Sequence, residues 1–247
     1  MARKKNLING NGNGITELVL EKNFINPVDN NFYYRKVKIK CKNENQKKFI
    51  NLIDEKQIIL CNGPAGCGKS HLSIIKSLEY IQTPNNGYDK IYIITPTVEI
   101  TKSGVGFLPG SFADKVSVYM NSVYKLFDKI VGKDTCDKML KNSIIEVLGL
   151  GYIRGENFDN CILIVEEAQN VSIKEMLTIL TRIGENCKLI ISGDLVQIDA
   201  FKCVEDSGLY HSINKLKDIE EIGIFEFSED DIVRNTVINK ILKKYYL

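Results

Sequence analysis

The stretch Gln57-Ile58-Ile59-Leu60-Cys61-Asn62-Gly63-Pro64-Ala65-Gly66-Cys67-Gly68-Lys69-Ser70 decides the fold. Residues 57–61 read as a compact apolar strand bounded by glycine. Gly63 to Ser70 fits G-x-x-x-x-G-K-[ST], and Leu72, Ile75 and Leu78 then mark a helix. A strand, a glycine-rich turn and a helix are the context this pattern requires. Glycines let successive backbone N–H groups curl around a phosphate without Cβ clashes. The helix N-terminus adds a favourable partial charge. The expected nucleotide cradle is Gly63, Pro64, Ala65, Gly66, Cys67, Gly68, Lys69, Ser70 and His71. Lys69 is expected to reach the β and γ phosphates of a nucleotide such as ATP, and the Ser70 hydroxyl to bind Mg²⁺.

Downstream, Ile162-Leu163-Ile164-Val165 ends in Glu166-Glu167, an apolar strand closing on two carboxylates in a Walker B arrangement. Glu166 is expected to hold Mg²⁺ through water, and Glu167 to orient and deprotonate the attacking water. Glu166 stands where Asp is usual and is one methylene longer. A third strand, 188–192, runs into Gly193-Asp194-Leu195-Val196-Gln197. Asp194 and Gln197 at a strand's C-terminal edge can sense the γ-phosphate, since open parallel sheets bind ligands there. Arg234 follows Asp230-Asp231-Ile232-Val233 and is expected to neutralise charge on the transferring phosphoryl group.

Further elements are legible on either side. Alternation at Val37-Lys38-Ile39-Lys40-Cys41 predicts a strand, and Phe49, Ile50 and Ile53 a helix. Residues 90–94 and Glu221–Phe227 read as strands, and Val116 to Ile130 as a helix. Ser172 with Glu175 forms a capping box. Ser228 with Asp231 is expected to cap a final helix whose apolar face is Ile232, Val233, Val237, Ile241 and Leu242. Short apolar strands separated by helices predict an α/β fold, a parallel sheet with helices on both faces. Residues 1–31, with Asn9-Gly10-Asn11-Gly12-Asn13-Gly14, read as a flexible arm, and 32–247 as one domain.

Composition bounds the function. The chain has 247 residues, 44% hydrophobic and 26% charged, which excludes wholesale disorder. It has no apolar run of the ~18–20 residues a membrane span needs, and Met1-Ala2-Arg3-Lys4-Lys5 leads into no signal-like stretch. Seven scattered cysteines without C-x-x-C spacing read as reduced thiols of a cytoplasmic protein. His71 and His211 are the only histidines, against multi-histidine metal chemistry. Residues 1–50 hold 11 Lys/Arg against 4 Asp/Glu, and the remainder 22 against 27. A basic front end suits a polyanion or a solubilising tail equally.

Together these motifs resemble the PhoH-like ATPase family, itself similar to the N-terminal motor half of superfamily 1 helicases. Pro96-Thr97-Val98-Glu99, then Gly104-Val105-Gly106-Phe107-Leu108-Pro109-Gly110, resembles the family's most distinctive stretch. Tyr119, Tyr152-Ile153-Arg154-Gly155, Glu166-Glu167-Ala168-Gln169-Asn170, Thr181-Arg182-Ile183-Gly184, Ser207-Gly208-Leu209 and Val233-Arg234 match in order. Asn45-Gln46 resembles a Q-type motif, which implies that the Gln46 amide recognises adenine. Thr95 stands where the family usually has Arg, and Asn235 where members often carry His.

The resemblance implies a RecA-like P-loop NTPase coupled to single-stranded RNA or DNA. Nucleic acid would meet the Phe107–Gly110 loop, Lys102 and the basic run Arg35, Lys36, Lys38, Lys40, Lys42, Lys47 and Lys48. One phosphate loop in 247 residues supplies one motor domain. The resemblance therefore favours a ring, possibly a hexamer, in which Arg234 or Arg182 reaches a neighbour's γ-phosphate. A second reading is a switch or assembly module that binds ATP with little turnover. Small-molecule kinase chemistry has no need of the Asp194/Gln197 and Gly106–Gly110 segments.

Overall fold

The structure, a computed structural model, describes residues 37–96 and 112–233, with backbone alone for 112–121. The expected arm, the segment 97–111 and everything from Arg234 onward lie outside the described residues. In chain order the elements are α1 (Glu44–Glu55), β1 (Ile58–Asn62), α2 (Lys69–Gln82), β2 (Lys90–Thr95), α3 (Phe112–Val131) and α4 (Lys133–Lys141). β3 (Ile145–Gly149), β4 (Cys161–Val165), α5 (Ile173–Leu180), β5 (Cys187–Gly193), α6 (Gly208–Lys215) and β6 (Ile222–Glu226) follow.

The six strands form one sheet in the order β3-β2-β4-β5-β1-β6, and every pairing is parallel. The apolar strands explain why. Along β4, Ile162 and Ile164 enter the core shared with α1–α4, while Cys161, Leu163 and Val165 enter the core under α5 and α6. All five are at most 1% exposed. Burying such side chains on both faces stabilises by roughly 1.5–3 kcal/mol each, so a parallel strand shows no polar stripe.

Register sets the site. Asn62 lies opposite Gly193, and Val165 opposite Ile191. The three central strands β4, β5 and β1 therefore end within about two residues of one another, and their C-terminal loops meet on one edge.

One charge interrupts β5. Lys188 is buried, and its Nζ donates to the carbonyls of Ile53 and Lys56 at the end of α1, the latter at 2.7 Å. It thereby satisfies carbonyls that have no intrahelical partner. Burial pulls its pKa down to about 8.

Two expectations change, and two elements are new. Residues 37–41 are not a strand. Their alternation is real, because Val37, Ile39 and Cys41 pack on the core while Lys38 and Lys40 are exposed. The segment lies along α2 instead of in the sheet, with Val37 N–H donating to Gln82 Oε1 at 2.9 Å. The Ser228/Asp231 capping box forms, but it closes a single 3-10 turn at Glu229–Asp231, and Ile232 is extended, not helical. β3 and α4 are elements that sequence reading does not anticipate. β3 is an edge strand with a half-exposed middle, so it lacks the continuous apolar signature. By contrast, the Ser172/Glu175 box opens α5 as expected. All seven cysteines are free thiols, five of them buried.

Candidate functional site

The phosphate loop links β1 to α2 through two left-handed glycines, Gly66 (φ 97°) and Gly68 (φ 103°), a conformation that side chains strongly disfavour. Gly63 N–H donates to Gly193 O at 3.1 Å, stitching the loop to the end of β5. A Cβ on Gly63 would sit 2.6 Å from Phe227 Cβ, so only glycine lets the segment after β6 close on the loop. Lys69 begins α2 and turns back over the loop, donating to Gly63 O at 2.5 Å and Pro64 O at 3.1 Å.

The two carboxylates end β4 in different environments. Glu166 accepts a hydrogen bond from the Ser70 hydroxyl at Oε2, while its buried Oε1 has no hydrogen-bond partner. Burial, and then the charge of Glu167, push its pKa up to about 7, although Ser70 and Lys69 act in the opposite direction. A buried carboxylate oxygen lacking a donor is costly. Beside a helix N-terminus and a serine hydroxyl, it fits a divalent cation held jointly with phosphates. Glu167 is exposed and adopts a left-handed backbone (φ 52°, ψ 35°), rare for a residue with a side chain. That turn aims the two neighbouring carboxylates differently.

Gln169 connects the acidic pair to the third strand. It is 1% exposed. Its Nε2 donates to Glu167 Oε2 at 2.7 Å and to Gln197 O at 3.2 Å, and its Oε1 accepts from Asp194 N–H at 3.0 Å. Asp194 in turn accepts from Gln197 Nε2 at 2.8 Å and from Ala65 N–H of the phosphate loop at 3.2 Å. Loop, acidic pair and Asp194/Gln197 are thus one hydrogen-bonded unit.

A second layer lies beneath the loop. Gln46, 4% exposed, donates from Nε2 to Cys67 O at 2.8 Å and accepts from Lys42 N–H at Oε1 at 2.7 Å. Asn45 Nδ2 lies 3.0 and 3.1 Å from the two Asp231 carboxylate oxygens, and Val233 N–H donates to Gly66 O at 3.0 Å. His71 stands at the start of α2, largely open to solvent, and the partial desolvation of its ring, with the charge of Lys42, lowers its pKa.

The structure therefore gathers Gln46, Gly63–His71, Glu166, Glu167, Asp194 and Gln197 on one edge of the sheet. Arg234 and the Phe107–Gly110 loop lie outside the described residues, as does the side chain of Tyr119. Arg182 is half-buried, and its Nε is buried without a hydrogen-bond partner. Thr95, at the end of β2, is buried. Sequence reading assigned no role to Gln169, quoted Asn45 only beside Gln46, and gave Asp231 only a helix cap. Gln169 stood within a quoted motif, but its partners lie up to 28 residues away.

A family profile described as PhoH-like protein matches residues 38–246. The chain belongs to the PhoH-like protein family. Over 208 residues it is 35% identical to a PhoH-like protein of Bacillus subtilis (strain 168), covering 84% of this chain and 64% of that protein. Protein PhoH of Escherichia coli (strain K12) is 34% identical over 209 residues, covering 84% and 58%. This PhoH-like chain thus spans about three-fifths of the length of the curated relatives it matches. Among solved structures, the Hef helicase domain of Pyrococcus furiosus superposes with a TM-score of 0.46 at 11% identity, covering 75% of this chain and 37% of that one. The UvsW helicase from bacteriophage T4 gives 0.42 at 16% identity, covering 80% and 65%. No helix among the described residues is long and apolar enough to cross a membrane.

Proposed function

We propose that this PhoH-like chain is a Mg²⁺-dependent ATPase whose turnover is coupled to single-stranded RNA or DNA. The observation that carries this reading is the partnerless buried oxygen of Glu166, which sits against the Ser70 hydroxyl at the mouth of a glycine-built phosphate loop. Ser70 and Glu166 would hold Mg²⁺, which when bound offsets the charge of the phosphates. Lys69 exchanges its loop carbonyls for the β and γ phosphates. Glu167, held by Gln169, takes the proton of the attacking water. Gln197 and Asp194 face the terminal phosphate, and Arg234 supplies the neutralising charge.

Exposed Lys38, Lys40, Lys42, Lys47 and Lys48 support a polyanionic partner. Self-association into a ring would bring a neighbour's arginine to each site. The working compartment of this reading is the cytoplasm.

The test is ATP turnover with and without single-stranded RNA and DNA at stated salt. Wild type is expected to hydrolyse ATP faster with single strands, and Lys69→Ala to be inactive. Glu167→Gln distinguishes the switch reading, since an ATPase loses turnover and traps ATP while a switch is unaffected. Light scattering showing monomers alone, with and without ATP and Mg²⁺, counts against the ring.

A further inference from the structure

The Gln46 amide sits where a base-reading group would be expected, yet both of its ends are engaged inside the protein. Nε2 is 2.8 Å from Cys67 O, within the phosphate loop, and Oε1 receives Lys42 N–H at 2.7 Å. The side chain is 4% exposed. Gly68 leaves it room, because a Cβ there would stand 3.0 Å from Gln46 Nε2. The surrounding groups are engaged as well. Asn43 Oδ1 accepts from Gln46 N–H at 2.8 Å, Asn45 is bound to Asp231, and Val233 N–H is bound to Gly66 O. To read a base edge, Gln46 would have to break its buried hydrogen bond to Cys67 O and its part-buried one from Lys42 N–H, leaving a loop carbonyl without a partner, which is unfavourable.

We infer that Gln46 is a positioning residue for the phosphate loop and not a reader of the base. It fixes the Cys67–Gly68 turn from below, so it acts on the triphosphate and equally on adenine and guanine nucleotides. This rests on the nucleotide-binding reading above and deepens it: the substrate class seen by Gln46 is the triphosphate itself.

The test uses the full chain and three probes, ATP, GTP and inorganic tripolyphosphate, each titrated with Mg²⁺ by calorimetry well below the melting temperature. Gln46→Met keeps the length and volume of the side chain and removes both hydrogen bonds. It is expected to weaken all three probes by a similar factor, roughly tenfold, leaving the ATP-to-GTP affinity ratio within about twofold of wild type. Gln46→Glu still accepts from Lys42 N–H but cannot donate to Cys67 O, and serves if the Met variant does not fold. It is expected to show the same parallel loss. A change in fold stability alone leaves the affinities of the folded protein unmoved, so this readout separates loop positioning from mere support of the fold.

Weakening confined to ATP overturns the inference in favour of base reading. Unchanged affinity for all three overturns it in favour of a passive role. Wild type that takes up none of the probes overturns the nucleotide reading itself, and this inference with it.

Discussion

Gln169 Nε2 lies 2.7 Å from Glu167 Oε2, while the same amide's oxygen receives the backbone N–H of Asp194 at 3.0 Å. One buried side chain thus holds the exposed carboxylate at the end of β4 and the first residue after β5. In the proposed reaction Glu167 is the general base, which contributes only when its carboxylate is correctly placed, and Gln169 would do the placing.

Gln169→Leu should therefore lower kcat for ATP by roughly 10- to 100-fold, short of the 10²–10⁴ that a whole general base supplies. Nucleotide affinity should change less than about twofold, because the loop's own contacts with phosphate remain. Steady-state kinetics beside equilibrium titration checks the split. A loss that falls on affinity instead would show that Gln169 shapes the loop.

Glu166 gives a pH signature. Its pKa is raised to about 7 by burial, whereas an unfolded glutamate titrates near 4.5. Between those values the folded state holds more protons than the unfolded one, so stability falls as pH rises through the window. The change is on the order of 3 kcal/mol. Urea melts of nucleotide-free protein at pH 5 and pH 7.5 should show it, and Glu166→Gln should flatten it. Mg²⁺ needs the ionised carboxylate, so Mg²⁺-nucleotide binding should release a proton near pH 6.5, read from the buffer dependence of the calorimetric heat.

Gly193 is a point of close packing in the same unit. A Cβ there would stand 2.7 Å from Leu209 Cδ2 and 2.8 Å from both Gln169 N and Oε1. Gly193→Ala should cost about 1–3 kcal/mol in stability. By displacing Gln169 it should also lower turnover in protein that remains folded. Thermal melts and kcat on the same preparation test both parts.

The central strand supplies a contrast. Leu163 is fully buried at the middle of β4, whereas Leu177 on α5 is 62% exposed. Leu163→Ala should destabilise by roughly 2–5 kcal/mol, and Leu177→Ala by about 0.5 kcal/mol or less. Denaturant midpoints at unchanged slope would confirm that the core on this face is packed as described.

The sequence by itself determined the parts governed by neighbouring residues. The loop at Gly63–Ser70, the apolar strands read at 57–61, 161–165 and 188–192, and the Ser172/Glu175 cap all follow from backbone sterics, side-chain periodicity and contacts within four residues. The fold class followed too, since apolar strands alternating with helices admit few arrangements. Tertiary structure alone decided that β5 lies between β1 and β4, and that this register brings Asp194 to Ala65. It also turned the alternating 37–41 segment away from the sheet, buried the Gln46 amide beneath the loop and left one Glu166 oxygen without a partner. Those outcomes depend on hydrogen bonds and desolvation between residues as far as 21 to 129 positions apart, which no local pattern encodes.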